Sequence, residues 1–128
     1  MSLTNAFETS TLQYLLTTGS VTRPTAWYIG LFTSDPTDTG TAGTEVAGNG
    51  YTRVAATFTV TADTASNSAS IEFSAASGGN WGTVGWIGIM DASSGGNMII
   101  HSALDTAKAI NDGDVFRIPT GDLDITAS

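Results

Sequence analysis

Residues 84–104, VGWIGIMDASSGGNMIIHSAL, decide the fold class of this 128-residue chain. Residues 84–90 are almost continuously apolar over the length of one strand, which is typical of a strand that is covered on both faces. Residues 91–97 then supply aspartate, serine, glycine and asparagine, the residues of tight turns. Apolar residues return over 97–104. We therefore predict a buried β-hairpin, in which Asp91 forms the turn rather than binding a ligand.

The remaining segments predict further short strands. Residues 25–33 are apolar on both faces, whereas residues 51–60 alternate between apolar and polar side chains, as a half-buried strand does. Turn-forming residues dominate 34–50, which we predict to be a surface loop. The predicted strands span residues 25–33, 51–60, 67–75, 84–90, 97–104, 114–118 and 123–126. The fold class is therefore all-β: an antiparallel, jelly-roll-like β-sandwich of about seven strands in a single domain, 1–128.

Residues 1–20 predict one N-terminal helix. Asn5 is a suitable N-cap with Glu8 three residues later, as in a capping box, and Gly19 can end the helix in a left-handed conformation. The apolar residues near one face at helical spacing are Leu3, Phe7, Tyr14 and Leu15. Two roles stay open: packing on the domain's own sandwich, or serving as an arm, residues 1–18, that docks on a neighbouring subunit.

Composition excludes several classes of partner. The chain has a net charge of −8 and four cationic residues, so it lacks the clustered positive charge that nucleic acid or an anionic membrane surface attracts. It has no cysteine, no apolar run as long as a membrane span and no basic-then-apolar leader. We expect synthesis in the host cytoplasm. The charged fraction of 12% is low, which favours a surface covered by neighbouring subunits and hence a homo-oligomer.

Acidic and histidine side chains predict no catalytic, cofactor or metal site. Asp35, Asp38 and Glu45 are weak calcium candidates, since calcium prefers carboxylate oxygens on a loop, but turn-rich loops collect aspartate for local hydrogen bonds as well. His101 lies within a strand with no nucleophile elbow nearby, so we predict a structural histidine and no enzyme activity. A second acidic group, predicted to face solvent or a partner, comprises Asp112, Asp114, Asp122 and Asp124.

The three tryptophans predict different environments. Trp27 and Trp86 lie inside apolar strands, where core packing is the default. Gly85 and Gly88 flank Trp86 in that strand and allow a large ring or another backbone to approach closely. Trp81 follows two glycines and an asparagine, and both a core edge and an exposed contact residue stay open for it.

Taken together, several segments resemble a known family. In chain order they are MSLTNAFET (1–9), RPTAWYIGLFTSDPTDTG (23–40), GTEVAGNGYTR (43–53), NSASIEFSAA (67–76), WGTVGWIGIMDASSGGN (81–97) and GDVFRIPTGDLDIT (113–126). They are similar to small virion proteins of tailed bacteriophages, often labelled tail-fibre or minor tail proteins. The resemblance implies a structural protein of the virion and carries no active-site residues.

The sequence thus predicts a non-enzymatic virion protein on the outer surface of the head or tail. A compact acidic sandwich without a repetitive shaft favours a capsid decoration (cement) protein that binds the major capsid protein, with a tail-fibre or minor tail/baseplate accessory as the alternative. A host-glycan-binding module is a further alternative, and a small hydrolase a remote one. The predicted partner contacts are Phe7, Tyr14, Leu15 and Trp81.

Overall fold

In the computed structural model, which describes residues 2–127, ten strands and one helix are found. The helix is α1 (Asn5–Leu16). The strands are β1 (Ser2–Leu3), β2 (Tyr28–Phe32), β3 (Val54–Ala55), β4 (Phe58–Thr61), β5 (Thr64–Asn67), β6 (Ile71–Glu72), β7 (Gly82–Met90), β8 (Met98–Ile110), β9 (Arg117–Ile118) and β10 (Asp124–Thr126). The all-β prediction with one N-terminal helix is confirmed, although the strands are more numerous and mostly shorter than predicted.

Three antiparallel sheets build a sandwich-like fold. The main sheet has the order β1-β8-β7-β2-β3, the small sheet has the order β10-β5-β4, and β6 and β9 form a two-stranded ribbon. Sixteen buried residues from the main sheet, the two-stranded ribbon and the connections form one core, including Ile29, Leu31, Ile71, Ile87 and Ile118. Phe58 and Ile125 of the small sheet are partly buried and pack against it.

The predicted hairpin is the centre of the main sheet. Asp91 closes its turn as expected: its backbone N–H donates to the carbonyl of Asn97, and its Oδ1 accepts from the Asn97 N–H at 2.7 Å. The second strand, β8, runs six residues beyond the predicted end at residue 104, to Ile110. The register shifts between the pairs Val84–Lys108 and Trp86–Ala103, so residues 104–107 of β8 bulge from the sheet.

Two glycines pair across the centre of the main sheet. Gly30 of β2 lies opposite Gly88 of β7. A Cβ on Gly88 would lie 2.6 Å from the end of Met98 and 3.0 Å from the ring of Phe32. The expectation of a close-packed ring at Gly88 is thus confirmed, whereas Gly85 has no neighbour closer than 3.9 Å to such a Cβ.

The N-terminal segment departs from its prediction at both ends. Asn5 does not cap the helix: the N-cap is Thr4, whose buried hydroxyl donates to the Met98 carbonyl at 2.7 Å instead of to the helix. Residues 2–3 form an edge strand on β8, so the helix starts where this pairing ends. It ends at Leu16, because Thr17 already has an extended backbone, and Gly19 is not left-handed.

The predicted strand 51–60 is divided in two. At Ala56 the chain leaves the main sheet, where its N–H donates to the Trp27 carbonyl, and enters the small sheet. Trp27 itself lies before β2 and is 38% exposed, so its predicted core position was wrong. By contrast β2 is flanked by β7 and β3 and buried from Ile29 onward, as predicted for a strand covered on both faces.

Candidate functional site

The N-terminal helix carries several large apolar side chains that are exposed. No residue of α1 is buried. Phe7, near its start, packs partly against the core, so the first turn belongs to the domain. The rest of the helix exposes an apolar set, called the helix patch below: Leu12 (58% exposed), Tyr14 (65%), Leu15 (66%) and Leu16 (76%). The start of the helix thus packs on its own domain, whereas docking of the segment on a neighbouring subunit stays a prediction.

Trp81 does not lie on the surface. Its side chain is buried in the core, where its ring meets those of Tyr51 and Phe73 edge to face. Its indole N–H donates to the Asn49 carbonyl at 2.9 Å, so its polar atom is satisfied internally. The alternative of an exposed contact residue was wrong. The glycan-binding alternative, which depended on an exposed tryptophan at this position, loses its motivation with it.

A partly buried ion pair connects two loops that are distant in sequence. Arg53 binds Glu45 through two parallel hydrogen bonds, Nε to Oε2 and Nη2 to Oε1, each 2.8 Å. Its Nη1 donates to the carbonyls of Ala92 and Gly95, both at 2.8 Å. Tyr51 donates its hydroxyl proton to Glu45 at 2.6 Å and accepts from a backbone N–H of β2. Loop 34–50 and turn 91–97 are thereby joined through one guanidinium.

The ionisation of this cluster follows from its contacts. Burial raises the pKa of Glu45, but the hydrogen bonds from Arg53 and Tyr51 outweigh burial, so its pKa lies below the ordinary value. Burial, and then the hydrogen bond to the Glu45 carboxylate, raise the pKa of Tyr51. The hydrogen bond to Glu45 raises the pKa of Arg53. The cluster therefore holds an ionised pair and a neutral phenol at neutral pH, which is a structural arrangement rather than a poised acid and base.

The three weak calcium candidates have separate partners. Asp35 accepts from the Thr37 N–H at 2.9 Å, a local turn bond, while Glu45 belongs to the ion pair. Asp38 bonds Nε2 of His101 at 2.9 Å, which attaches loop 34–50 to β8. Among residues 2–127 no three acidic or histidine side chains gather as a metal site would require. The C-terminal acidic residues are all exposed, as predicted: Asp112, Asp114, Asp122 and Asp124.

An apolar groove opens between the main sheet and the small sheet. It measures about 330 Å³ and continues into a second cavity of about 350 Å³ that includes Ser2, Leu3, Thr126 and Ala127. Trp27 and Val60, the latter 71% exposed, lie along its opening. The residues that line the first cavity are Trp27, Phe58, Val60, Ala65, Ile89, Ile99, Ile100 and Ile125.

Sequence reasoning missed several of these surface residues. Leu12 and Leu16 extend the helix patch beyond the residues that the helical spacing had indicated. Val60 was placed on the buried face of a regular strand, although the alternation there cannot show that the strand lies at a sheet edge. Leu12 and Leu16 lie in a stretch without charged side chains, residues 9–22, and this absence of charge is the one signal that could have indicated them. It does not distinguish a buried helix face from an exposed one.

No helix within the described part of the chain is long and apolar enough to cross a membrane.

Comparison with known proteins gives one family. The family model described as "Podophage GP4 fiber I protein gp80" matches residues 2–126, nearly the whole chain. No curated protein matches the sequence.

Proposed function

The chain belongs to the podophage GP4 fiber I protein gp80 family, and on this premise we propose that it is a fibre component that binds neighbouring virion proteins through the helix patch. Membership makes it a bacteriophage structural protein. The proposed placement on the fibre follows the description of the family, whereas the sequence alone had favoured capsid decoration.

One observation carries the proposed contact. Three leucines and a tyrosine lie exposed on a single helix of twelve residues, next to a polar sandwich. Leu12, Leu15 and Leu16 share one face of the helix, because residues three and four apart are neighbours on a helix surface. Clusters of exposed apolar side chains of this kind mark a surface that a partner covers. A helix that places exposed apolar side chains in a partner's groove is a common mode of recognition. Tyr14 and Leu15, both among the residues indicated by the sequence, belong to this patch.

The test is virion incorporation of a variant phage. Replacing Leu12, Leu15 and Leu16 together by serine removes the apolar face, and we expect loss of the protein from purified virions, measured by quantitative mass spectrometry. Val115→Ser is the matched control, because Val115 is also apolar and 49% exposed but lies far along the chain. The purified triple variant should keep its circular dichroism spectrum, since none of the three side chains is buried. Incorporation at the wild-type level would refute the proposed contact.

Copy number separates the fibre from the head. We expect a fibre component in a small number of copies per virion, set by the symmetry of the tail. A decoration protein that covers capsomers, the competing proposal, requires hundreds. Quantitative mass spectrometry against the major capsid protein therefore distinguishes them, and immunogold labelling of intact virions gives the position directly.

A further inference from the structure

Strand β4 is an edge strand that lacks the usual protection. It lies at the end of the small sheet and pairs on one side only, with β5. Residues 54–62, which contain it, carry no charged side chain and no proline. Natural proteins guard open edges with charges, prolines, bulges or very short strands, because an open edge can pair with another chain.

Within residues 2–127, the strands at the other sheet ends, the two-stranded ribbon and the far part of β8 have such protection. β1, β3, β6 and β9 are two residues long. β10 carries Asp124. The part of β8 beyond its pairing with β1 contains the bulge, with Asp105 and Lys108 at or next to it. The open edge of β4 is thus distinct in its chemistry.

The free backbone groups of β4 belong to Phe58 and Val60. In an antiparallel pair, successive residues direct their N–H and C=O groups alternately towards and away from the neighbour. Thr57 directs its groups towards β5, since its carbonyl accepts from the Ser68 N–H. By alternation Thr59 does the same, and Phe58 and Val60 direct theirs outward. The side chains of these two residues lie on the groove side, and that of Val60 is 71% exposed.

We propose that two copies of this chain pair their β4 strands antiparallel about a two-fold axis at Thr59. This register places Phe58 opposite Val60 of the second copy, and the outward backbone groups of both then bond each other. Apolar side chains meet on the groove face, and Thr59 meets its equivalent on the other face. Such cross-strand pairs of aromatic with β-branched residues, and of threonine with threonine, stabilise sheets.

Charge favours a second copy at this edge. Two chains of net charge −8 repel each other in most orientations. Pairing centred on Thr59 brings the seven uncharged residues 56–62 against the same residues of the second copy, so no two carboxylates face each other across the strands. The same symmetric pairing at β10 would instead place Asp124 near its equivalent. This inference is independent of where in the virion the protein lies.

The first experiment measures mass in solution. Wild-type protein should sediment at twice the 13.1 kDa of one chain, with dissociation at lower concentration. Val60→Lys, which adds a charge at the open edge, should shift the mass to that of one chain, whereas Val115→Lys should remain paired. Circular dichroism should show that both variants are folded. A wild type that is monomeric at hundreds of micromolar, or a Val60→Lys variant that still pairs, would overturn the proposal.

The second experiment tests the register. The chain has no cysteine, so an introduced one reports a single position. Thr59→Cys would face its equivalent in a pair that is not hydrogen-bonded, where the Cα atoms lie about 4.5 Å apart, within reach of a disulfide. We expect a covalent dimer on mild oxidation. Thr61→Cys, on the same face but displaced from its equivalent by four residues, should not cross-link. Equal cross-linking of both, or of neither, would contradict this pairing.

Discussion

Arg53 is a residue on which two distant parts of the chain depend. Its partners lie eight, 39 and 42 positions away in sequence, yet its side chain is 8% exposed and every contact is 2.8 Å long. A buried guanidinium without its carboxylate would be strongly unfavourable. The pair therefore holds loop 34–50 and turn 91–97 in fixed positions relative to each other.

Substitution of Glu45 by glutamine should lower the free energy of unfolding by about 2–3 kcal/mol at neutral pH, since a charge-assisted bidentate contact is lost. The pKa of Glu45 is lowered in the folded state. Its stabilising contribution is therefore complete above the ordinary value of 4.5 and is lost as the pH falls through the lower folded value. Denaturant titration of both proteins over a pH series measures this, and a difference that stays constant below pH 4.5 would contradict it.

Asn67 is a second residue whose side chain organises a distant segment. It is 1% exposed, and its amide donates to the carbonyls of Ala69 and Pro119 and accepts from the N–H of Leu123, each at 2.9 Å. All its polar atoms are satisfied. The turn that leads into β10 is consequently attached to the end of β5.

Replacing Asn67 by alanine should lower the free energy of unfolding by about 2–4 kcal/mol, because three backbone groups lose their partner in a buried place. Thermal or denaturant unfolding gives the value. Asn111→Ala is the control, since Asn111 is exposed, and it should change stability by less than about 0.5 kcal/mol. Equal effects of the two substitutions would show that Asn67 has no special role.

Sequence could anticipate some of these residues and not others. Asp91 was predicted to form its turn because its partner lies six positions away, in the same loop. The partners of Asn67 at Pro119 and Leu123 lie 52 and 56 positions away, and no local pattern encodes them. Trp81 was ambiguous for the same reason: its burial depends on Asn49 and Tyr51, which the fold brings to it.

At the scale of elements, the β4–β5 hairpin contains a strained turn. Its two-residue connection places Ala62 at φ 55°, a left-handed conformation that alanine adopts at a cost. Ala62→Gly should therefore raise the free energy of unfolding by about 0.5–1 kcal/mol. Ala69 lies outside the left-handed region, so Ala69→Gly should lower the free energy of unfolding, because glycine gives the unfolded chain more conformational freedom. Denaturant unfolding of both variants checks the opposite signs, and a loss of stability in each would contradict the turn argument.

Elements differ in how far their own sequence determines them. The β7–β8 hairpin was predicted because a buried strand pair with a glycine-rich turn is a local pattern. The division of 51–60 into β3 and β4 was not, since the chain changes sheets at Ala56, whose N–H bonds the carbonyl of Trp27, 29 positions away in sequence. The helix end was also missed. The hydroxyl of Thr17 donates to the carbonyl of Gln13 in the preceding turn, and the helix ends before Gly19.

Stability should be distributed unevenly over the whole molecule. The main sheet has β7 and β2 at its interior, where buried side chains and paired backbones coincide. The helix has twelve residues, none buried, and isolated helices of that length are marginal in water. Native-state hydrogen exchange followed by mass spectrometry should thus show the fastest exchange in residues 10–16 and the slowest in 28–32 and 86–90. Slow exchange throughout the helix of a monomer would contradict this distribution.

The second cavity of the groove has a consequence for the path of the chain. Ser2 and Leu3 line it from one end of the described sequence, and Thr126 and Ala127 from the other. The two ends of the described sequence therefore lie close together in space. A short glycine-serine bridge across that cavity, together with an opening in the exposed turn at Gly113, would give a circularly permuted chain with the same neighbours in space. We expect such a permuted chain to fold to the same architecture, although its strands follow one another in a different order along the sequence.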